Sequence, residues 1–201
     1  EATFRLVDDV RTRAVYPFAF ELSATYRLDG PRLSVEVTVA NHDRRPMPAA
    51  LGFHPAFRWP LPGGPVEREA YSLTFAEDEP EPVRRPVEGG LLGPEQASPV
   101  RGRRLALADG LFTDGALVFE RAASRSLIYG AAHGPSLRID WPGMPSLGIW
   151  TKPGAGFVCV EPWQGYADHQ GYAGTLAAKP GMIILPPGTE RRFGFSVTLQ
   201  P

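Results

Sequence analysis

The strongest constraint on the fold is a two-residue alternation of apolar side chains. Residues 18–28 place apolar side chains at every second position, and residues 33–39 do the same after a break at Asp29-Gly30-Pro31. Because neighbouring side chains of a strand point to opposite faces, this pattern predicts an antiparallel hairpin over residues 18–40. No segment carries a 3.6-residue apolar period over three helical turns. We therefore expect an all-β protein with little helix.

Shorter apolar segments between turn residues predict further strands. They cover residues 71–75, 116–119, 125–129, 136–141, 147–150, 157–161, 182–185 and 193–199. The 22 glycines and 22 prolines interrupt the 201-residue chain often, which is typical of a β-sandwich or barrel. Residues 77–104 are rich in acidic residues and proline, and they predict a long surface loop over one sheet. No linker divides the chain, so we expect a single domain over residues 1–201.

Charge and cysteine content exclude several classes of function. The 21 basic and 22 acidic residues leave a formal net charge of -1, which argues against nucleic acid or an anionic membrane as the partner. No apolar segment approaches the ~18–20 residues of a membrane span. The single cysteine, Cys159, excludes an internal disulfide and a multi-cysteine zinc site. The expected location is cytoplasmic.

His54 is the histidine with the most distinctive surroundings. It lies in the apolar segment 51–57, and the following Pro55 favours an extended backbone at His54. A neutral imidazole held there can act as an acid or a base near neutral pH, although a structural core histidine would have the same pattern. The other histidines, in turn-like or loop contexts, are expected to have no catalytic role; they are His42, His133 and His169. No histidine spacing indicates a metal site.

Glu161 is a carboxylate at the end of an apolar strand. Burial there would raise its pKa, and a structural ion pair with an arginine is the alternative interpretation. Strand alternation places Phe157, Cys159 and Glu161 on one face with Trp163 nearby. An aromatic ring beside a carboxylate suits a sugar, whose C–H face packs on rings while acids bind its hydroxyls.

Several motifs resemble the aldose 1-epimerase (galactose mutarotase-like) family, and its shorter bacterial branch in particular. They are residues 52–57 (GFHPAF), 147–153 (LGIWTKP), 157–163 (FVCVEPW) with Gly165 and Asp168, and 180–188 (PGMIILPPG). The motifs occur in the family's order over nearly the whole chain. The resemblance implies a mostly antiparallel β-supersandwich. It also implies interconversion of the α and β anomers of a monosaccharide, a free aldose, without metal or cofactor.

The resemblance also implies roles for individual residues. In the family, the histidine of Gly-x-His-Pro is the general acid and the glutamate of Glu-Pro-Trp is the general base, which correspond here to His54 and Glu161. Trp163 and Phe57 are the aromatic candidates for sugar binding. The family carries an acidic sugar ligand just before an Ala-Leu-apolar-Phe strand, where this chain has Gly115, so Asp114 is the candidate one position earlier.

One family segment has no counterpart in the sequence. The family supplies a further histidine and arginine from a His-Gly-x-x-Arg type segment ahead of a strand that resembles residues 4–7. We expect this segment, about the first third of a family chain, to lie outside residues 1–201.

Three other functions remain open on the sequence alone. A carbohydrate-binding β-sandwich without turnover would keep the aromatic residues. A glycosidase would need two carboxylates, for which Glu161 and Asp168 are the motif-linked pair. A mutarotase acting on a hexose 6-phosphate would need cations near His54, and Arg44, Arg45 and Arg58 are the candidates.

Overall fold

The computed structural model describes residues 1–201, and nearly all of its regular structure is β-strand. The fifteen strands are β1 (Ala2–Val7), β2 (Phe20–Asp29), β3 (Arg32–Asn41), β4 (Met47–Ala49), β5 (Leu51–Gly52), β6 (Ala56–Arg58), β7 (Ser72–Phe75), β8 (Arg104–Ala106), β9 (Leu117–Phe119), β10 (Ser126–Gly130), β11 (Ser136–Asp140), β12 (Ser146–Trp150), β13 (Phe157–Gln164), β14 (Ile183–Leu185) and β15 (Glu190–Gln200). The helical segments are α1 (Val10–Val15) and four short 3-10 turns, at Arg68–Ala70, Glu88–Gly90, Asp109–Phe112 and Leu176–Ala178. None of them has the length and hydropathy needed to cross a membrane.

The strands form two large antiparallel sheets with one core between them. The first has eight strands in the order β1-β2-β3-β15-β11-β10-β7-β8. The second has the order β5-β13-β12-β9, with β6 also paired to β13, and β14 pairs with β4 separately. Buried apolar side chains from both sheets belong to a single cluster, in which Phe75 of the first sheet packs on Phe119 of the second. The expected all-β, mostly antiparallel fold with little helix is confirmed.

The longest predicted hairpin is present almost as expected. Strands β2 and β3 pair in an unbroken register across the turn at Gly30, whose φ of 53° lies in the left-handed region that glycine tolerates best. The alternating residues Val35, Val37 and Val39 face the core from β3. The apolar residues at every second position are therefore the ones that face the core.

The segment 77–104 is a long connection, as expected, but it is anchored to the rest of the protein. Val83 and Val100 are buried in the core cluster, and Arg84 pairs with Val118 at the edge of the second sheet. Glu79 is also buried, and its carboxylate accepts hydrogen bonds from two backbone amides of residues 123 and 124 at 2.8 and 2.7 Å. The acidic residues and prolines predicted a surface loop over one sheet, but they gave no sign of these backbone partners.

The anchoring role of Glu79 leads to a prediction about stability. Replacing Glu79 with Ala leaves two buried N–H groups without their acceptor, so it should lower the free energy of unfolding by about 1–3 kcal/mol. Urea denaturation measures this change. Asp78→Ala, at an exposed neighbour, is the matched control and should stay within about 0.5 kcal/mol of the parent. Equal stability of the two variants would show that the segment is not held by this contact.

Candidate functional site

The continuous register between residues 51–58 and β13 places His54 directly opposite Glu161. Strands β5 and β6 pair with the two ends of β13 in the same register. Between them the Phe53 N–H still donates to the Pro162 carbonyl at 3.0 Å. Pro55 has no N–H to donate to the ladder, which interrupts the regular pairing beside His54, although the Pro55 carbonyl still accepts from the Val160 N–H at 3.3 Å. Cross-strand partners of this kind have Cβ atoms about 4.5–5.5 Å apart, which brings the two side chains into reach of one ligand.

The two side chains have opposite environments. His54 Nε2 lies 3.5 Å from Glu161 Oε1, and the imidazole is 62% exposed whereas the carboxylate is only 5% exposed. His54 is the only ion-pair partner of the Glu161 carboxylate. Burial raises the pKa of Glu161, and the charge of a protonated His54 partly opposes that rise. The arrangement is an accessible imidazole beside a desolvated carboxyl group.

Alternation along β13 separates the site from the core. Val158 and Val160 belong to the core cluster, while Cys159 and Glu161 point to the other face of the sheet. Phe157 and Trp163 share that outer face by the same alternation. The shared face of Phe157, Cys159 and Glu161 is therefore as predicted.

Trp163 lies flat over two glycines on the neighbouring strands. A methyl group on Gly52 of β5 would lie 2.6 Å from Trp163 Cδ1, and one on Gly148 of β12 would lie 2.6 Å from Trp163 Cζ2 and Cη2. The indole thus spans from β5 across β13 to β12. Gly148 is also the register partner of Glu161, so the ring lies beside the carboxylate. A glycine within a strand signals a close approach of this kind, but the sequence does not say to which residue.

A second aromatic residue and a thiol complete the outer face. The Trp150 ring packs edge-on against the His54 ring, with centroids 6.2 Å apart, and Trp150 is the register partner of Cys159. Donor atoms of His54, Cys159 and Glu161 all lie within 4.8 Å of one another. Burial and the nearby Glu161 charge raise the pKa of Cys159 to about 12, so the free thiol stays protonated.

Phe57 and Asp114 are not brought to this face. Phe57 pairs with Val158, so it lies on the inner side of the sheet and packs against the core. The sequence prediction missed this because His54 and Phe57 are three residues apart, which places them on opposite faces of an extended segment. Asp114 lies exposed in the turn before β9, where its charge acts on Arg85. It is not part of the group around Glu161.

A cavity of about 420 Å³ adjoins the exposed side of Trp163. It is lined by Ala50, Leu51, Gly52, Trp163, Gln164, Gly165, Tyr166 and Ala167. The loop that forms one wall is fastened to the sheet, because His169 stacks on Tyr166 and its Nε2 contacts the Glu120 carboxylate. His169 therefore links this loop to Glu120, just after the end of β9.

The charged residues considered for a glycosidase or a phosphate-binding site do not form one cluster. Asp168 forms an ion pair with Lys179 at 3.0 Å and makes no contact with Glu161. Arg45 is paired with Asp43 at 3.0 Å. Arg58 is exposed, has no acidic partner, and is the register neighbour of Phe157 on the outer face of the sheet.

Comparison with known proteins identifies the family of this arrangement. The sequence model of the family described as Aldose 1-epimerase matches residues 1–198. The chain belongs to the aldose 1-epimerase family. The chromosomal protein LacX of Lactococcus lactis subsp. lactis is 31% identical, over 98% of this chain and 68% of LacX. The shared sequence supports the family but does not establish a particular substrate.

Solved structures of family members share the fold. The galactose mutarotase related enzyme of Lactobacillus acidophilus superposes with a TM-score of 0.85 at 31% identity, over 99% of this chain and 67% of its own. A galactose mutarotase-like protein of Lactobacillus casei gives a TM-score of 0.81 at 29% identity, over 98% of this chain and 69% of its own. The expected galactose mutarotase-like β-supersandwich is confirmed.

The contact between Trp163 and Gly148 can be tested with a single methyl group. Gly148→Ala should displace the indole and lower the free energy of unfolding by about 1–3 kcal/mol, because the added carbon overlaps the ring. Near-ultraviolet circular dichroism and urea denaturation report the two effects. Gly156→Ala is the control, because no atom lies within 4 Å of the methyl group it would add. If both variants keep the parent's spectrum and stability, the indole is not seated on Gly148.

Proposed function

We propose that this protein is an aldose 1-epimerase that interconverts the α and β anomers of a free aldose. The observation that carries the proposal is the pairing of a desolvated carboxyl group with an accessible imidazole, Glu161 and His54, at 3.5 Å. Such a pair supplies a base and an acid whose proton affinities differ because their environments differ. Family membership supports the same reaction class.

The reaction needs one proton removed and one proton added at atoms bonded to the same carbon. Ionised Glu161 removes the proton from the O1 hydroxyl while protonated His54 donates to the ring oxygen O5. The C1–O5 bond breaks, C1=O1 becomes the aldehyde, and rotation about C1–C2 presents its other face. Reversal of the proton transfers closes the ring as the other anomer. Each group contributes about 10²–10⁴-fold to the rate.

The surroundings of the pair suit a monosaccharide. Trp163 offers a flat apolar surface beside Glu161, on which the C–H face of a sugar ring can pack. An open depression of about 420 Å³ continues from Trp163 along residues 164–167; neither His54 nor Glu161 lines it, so it offers room for parts of a sugar away from the reacting atoms. The scheme transfers no net electrons or groups, so the two side chains account for every proton that moves.

A hexose 6-phosphate is the second candidate substrate. Arg58 lies on the site's outer face, near Phe157, without an acidic partner, so its guanidinium is free to bind a phosphate group. Anomer exchange across a panel of aldoses and their 6-phosphates separates the two candidates. A glycosidase has less support, because Asp168 is paired with Lys179 rather than placed opposite Glu161.

The catalytic roles predict a large loss of rate from two conservative substitutions. Glu161→Gln removes the base and His54→Asn removes the acid, so each should lower anomer exchange, measured by NMR on the full-length protein, at least ~10²-fold. Glu88→Gln and His133→Asn, at exposed residues, are the matched controls and should keep the parent rate. A rate within twofold of the parent for either site variant rejects its role. Sugar binding without exchange in the parent would instead favour a carbohydrate-binding protein.

The raised pKa of Glu161 predicts the shape of the acidic side of the pH profile. Because the base must be ionised, kcat/KM should fall as the pH drops through a value above the ~4.3 of an ordinary glutamate. Initial rates corrected for the uncatalysed reaction give the profile. Constant kcat/KM from about pH 4.5 to 8 would contradict this assignment.

A further inference from the structure

Three side chains that could together bind a metal ion lie on the outer face of the second sheet, and they are the only such group in the chain. An imidazole nitrogen of His54, the sulfur of Cys159 and a carboxylate oxygen of Glu161 lie within 4.8 Å of one another. Around tetrahedral zinc, bond lengths of about 2.0–2.3 Å place ligand atoms about 3.3–3.6 Å apart. The 3.5 Å separation of His54 Nε2 from Glu161 Oε1 already fits that spacing.

Two of the three ligands are buried and the third is accessible to solvent, an arrangement in which an ion can enter from the side of the imidazole. Cys159 and Glu161 are buried side by side on β13, while the His54 side chain is 62% exposed and is the least enclosed of the three ligands. The Glu161 carboxylate is 5% exposed and His54 is its only ion-pair partner, so a cation bound between the two side chains would take over the role of counter-charge from the protonated imidazole. The side that holds the imidazole is open, which leaves a fourth position for water.

We propose that His54, Cys159 and Glu161 bind a thiophilic divalent cation such as Zn²⁺, and that this binding inhibits the enzyme. Sulfur and imidazole ligands select zinc-like ions over Mg²⁺ and Ca²⁺, which prefer sites made of oxygen atoms. On binding, the Cys159 thiol loses its proton to solvent and coordinates as the thiolate. The ion also takes the lone pairs of Glu161 and His54 that the proton transfers require. The inhibitory consequence rests on the proposed function, whereas metal binding itself does not.

Cobalt is a suitable probe because a bond between Co²⁺ and a thiolate has its own near-ultraviolet absorption. Titration of the parent with Co²⁺ should produce this band, and one equivalent of Zn²⁺ should remove it. Cys159→Ala should abolish the band and weaken Zn²⁺ binding at least ~10²-fold, since even an outer-shell partner is worth about 10–100-fold in affinity. His133→Asn, which removes an exposed histidine elsewhere, should leave both unchanged.

A second variant keeps the test valid if Cys159→Ala unfolds. Cys159→Ser retains the size of the side chain but not the sulfur, so it should also lose the cobalt band. The proposal is overturned if the parent shows no cobalt–sulfur band, or if a folded variant without the thiol binds Zn²⁺ as tightly as the parent. The spectrum is read without turnover, so it tests the metal site even if the protein proves inactive as a mutarotase.

Inhibition is measured separately, by anomer exchange. Zn²⁺ should lower the parent rate, a chelator should restore it, and the same concentration of Mg²⁺ should have no effect. Cys159→Ala, compared with its own metal-free rate, should need at least ~10²-fold more Zn²⁺ for the same inhibition. Equal sensitivity of parent and variant to Zn²⁺ would show that inhibition does not pass through this site.

Discussion

Pairing of β13 on both of its edges determines the positions of the residues on the outer face. One edge carries residues 51–58 and the other carries β12, and the two registers together place His54 and Gly148 on either side of Glu161. A shift of one residue in either register would turn the side chains to the opposite face. The inner face of β13 prevents such a shift, because Val158 and Val160 have to remain in the core. Core packing and site geometry are thus consequences of one alignment.

The burial of Glu161 lowers stability at neutral pH, and the base role proposed for it needs the ionised form that burial disfavours. Since the folded state raises its pKa, ionisation of Glu161 is less favourable in the folded chain than in the unfolded chain. This group therefore contributes most to stability below its unfolded pKa, and that contribution is lost as the pH rises through the folded value. The core and the two sheets have to offset the difference at neutral pH. Sites that keep a reactive group desolvated commonly show this trade-off.

Local patterns predicted the strands well, and contacts between distant segments account for what they missed. The alternation over residues 18–40 depends on one buried face, so it could be read directly from the sequence. The partners of Glu79 lie more than forty residues away, and no local pattern identifies them. His54 and Glu161 could be picked out of the sequence because a histidine and a carboxylate are unusual in apolar segments. The packing of Trp163 on Gly52 and Gly148 could not be predicted, because a glycine has no side chain that indicates what covers it. Phe57 was a candidate because it lies in the same motif as His54, and only the register of β6 with β13 shows that it faces the core.

The Trp163 ring packs directly on the main chain of the neighbouring strands. Gly52 and Gly148 leave no side-chain atoms between the indole and the sheet, so substitution at these positions can only obstruct the ring and cannot reshape the surface beneath it. Under the proposed function, a change of sugar preference that leaves the ring in place has to come from the borders of the site instead. The loop around Tyr166 and the exposed positions of β6 are the borders that remain open to change. Under the proposed function, the fit to one sugar or another is therefore set at the rim, because the main chain beneath the ring has no side chain to exchange.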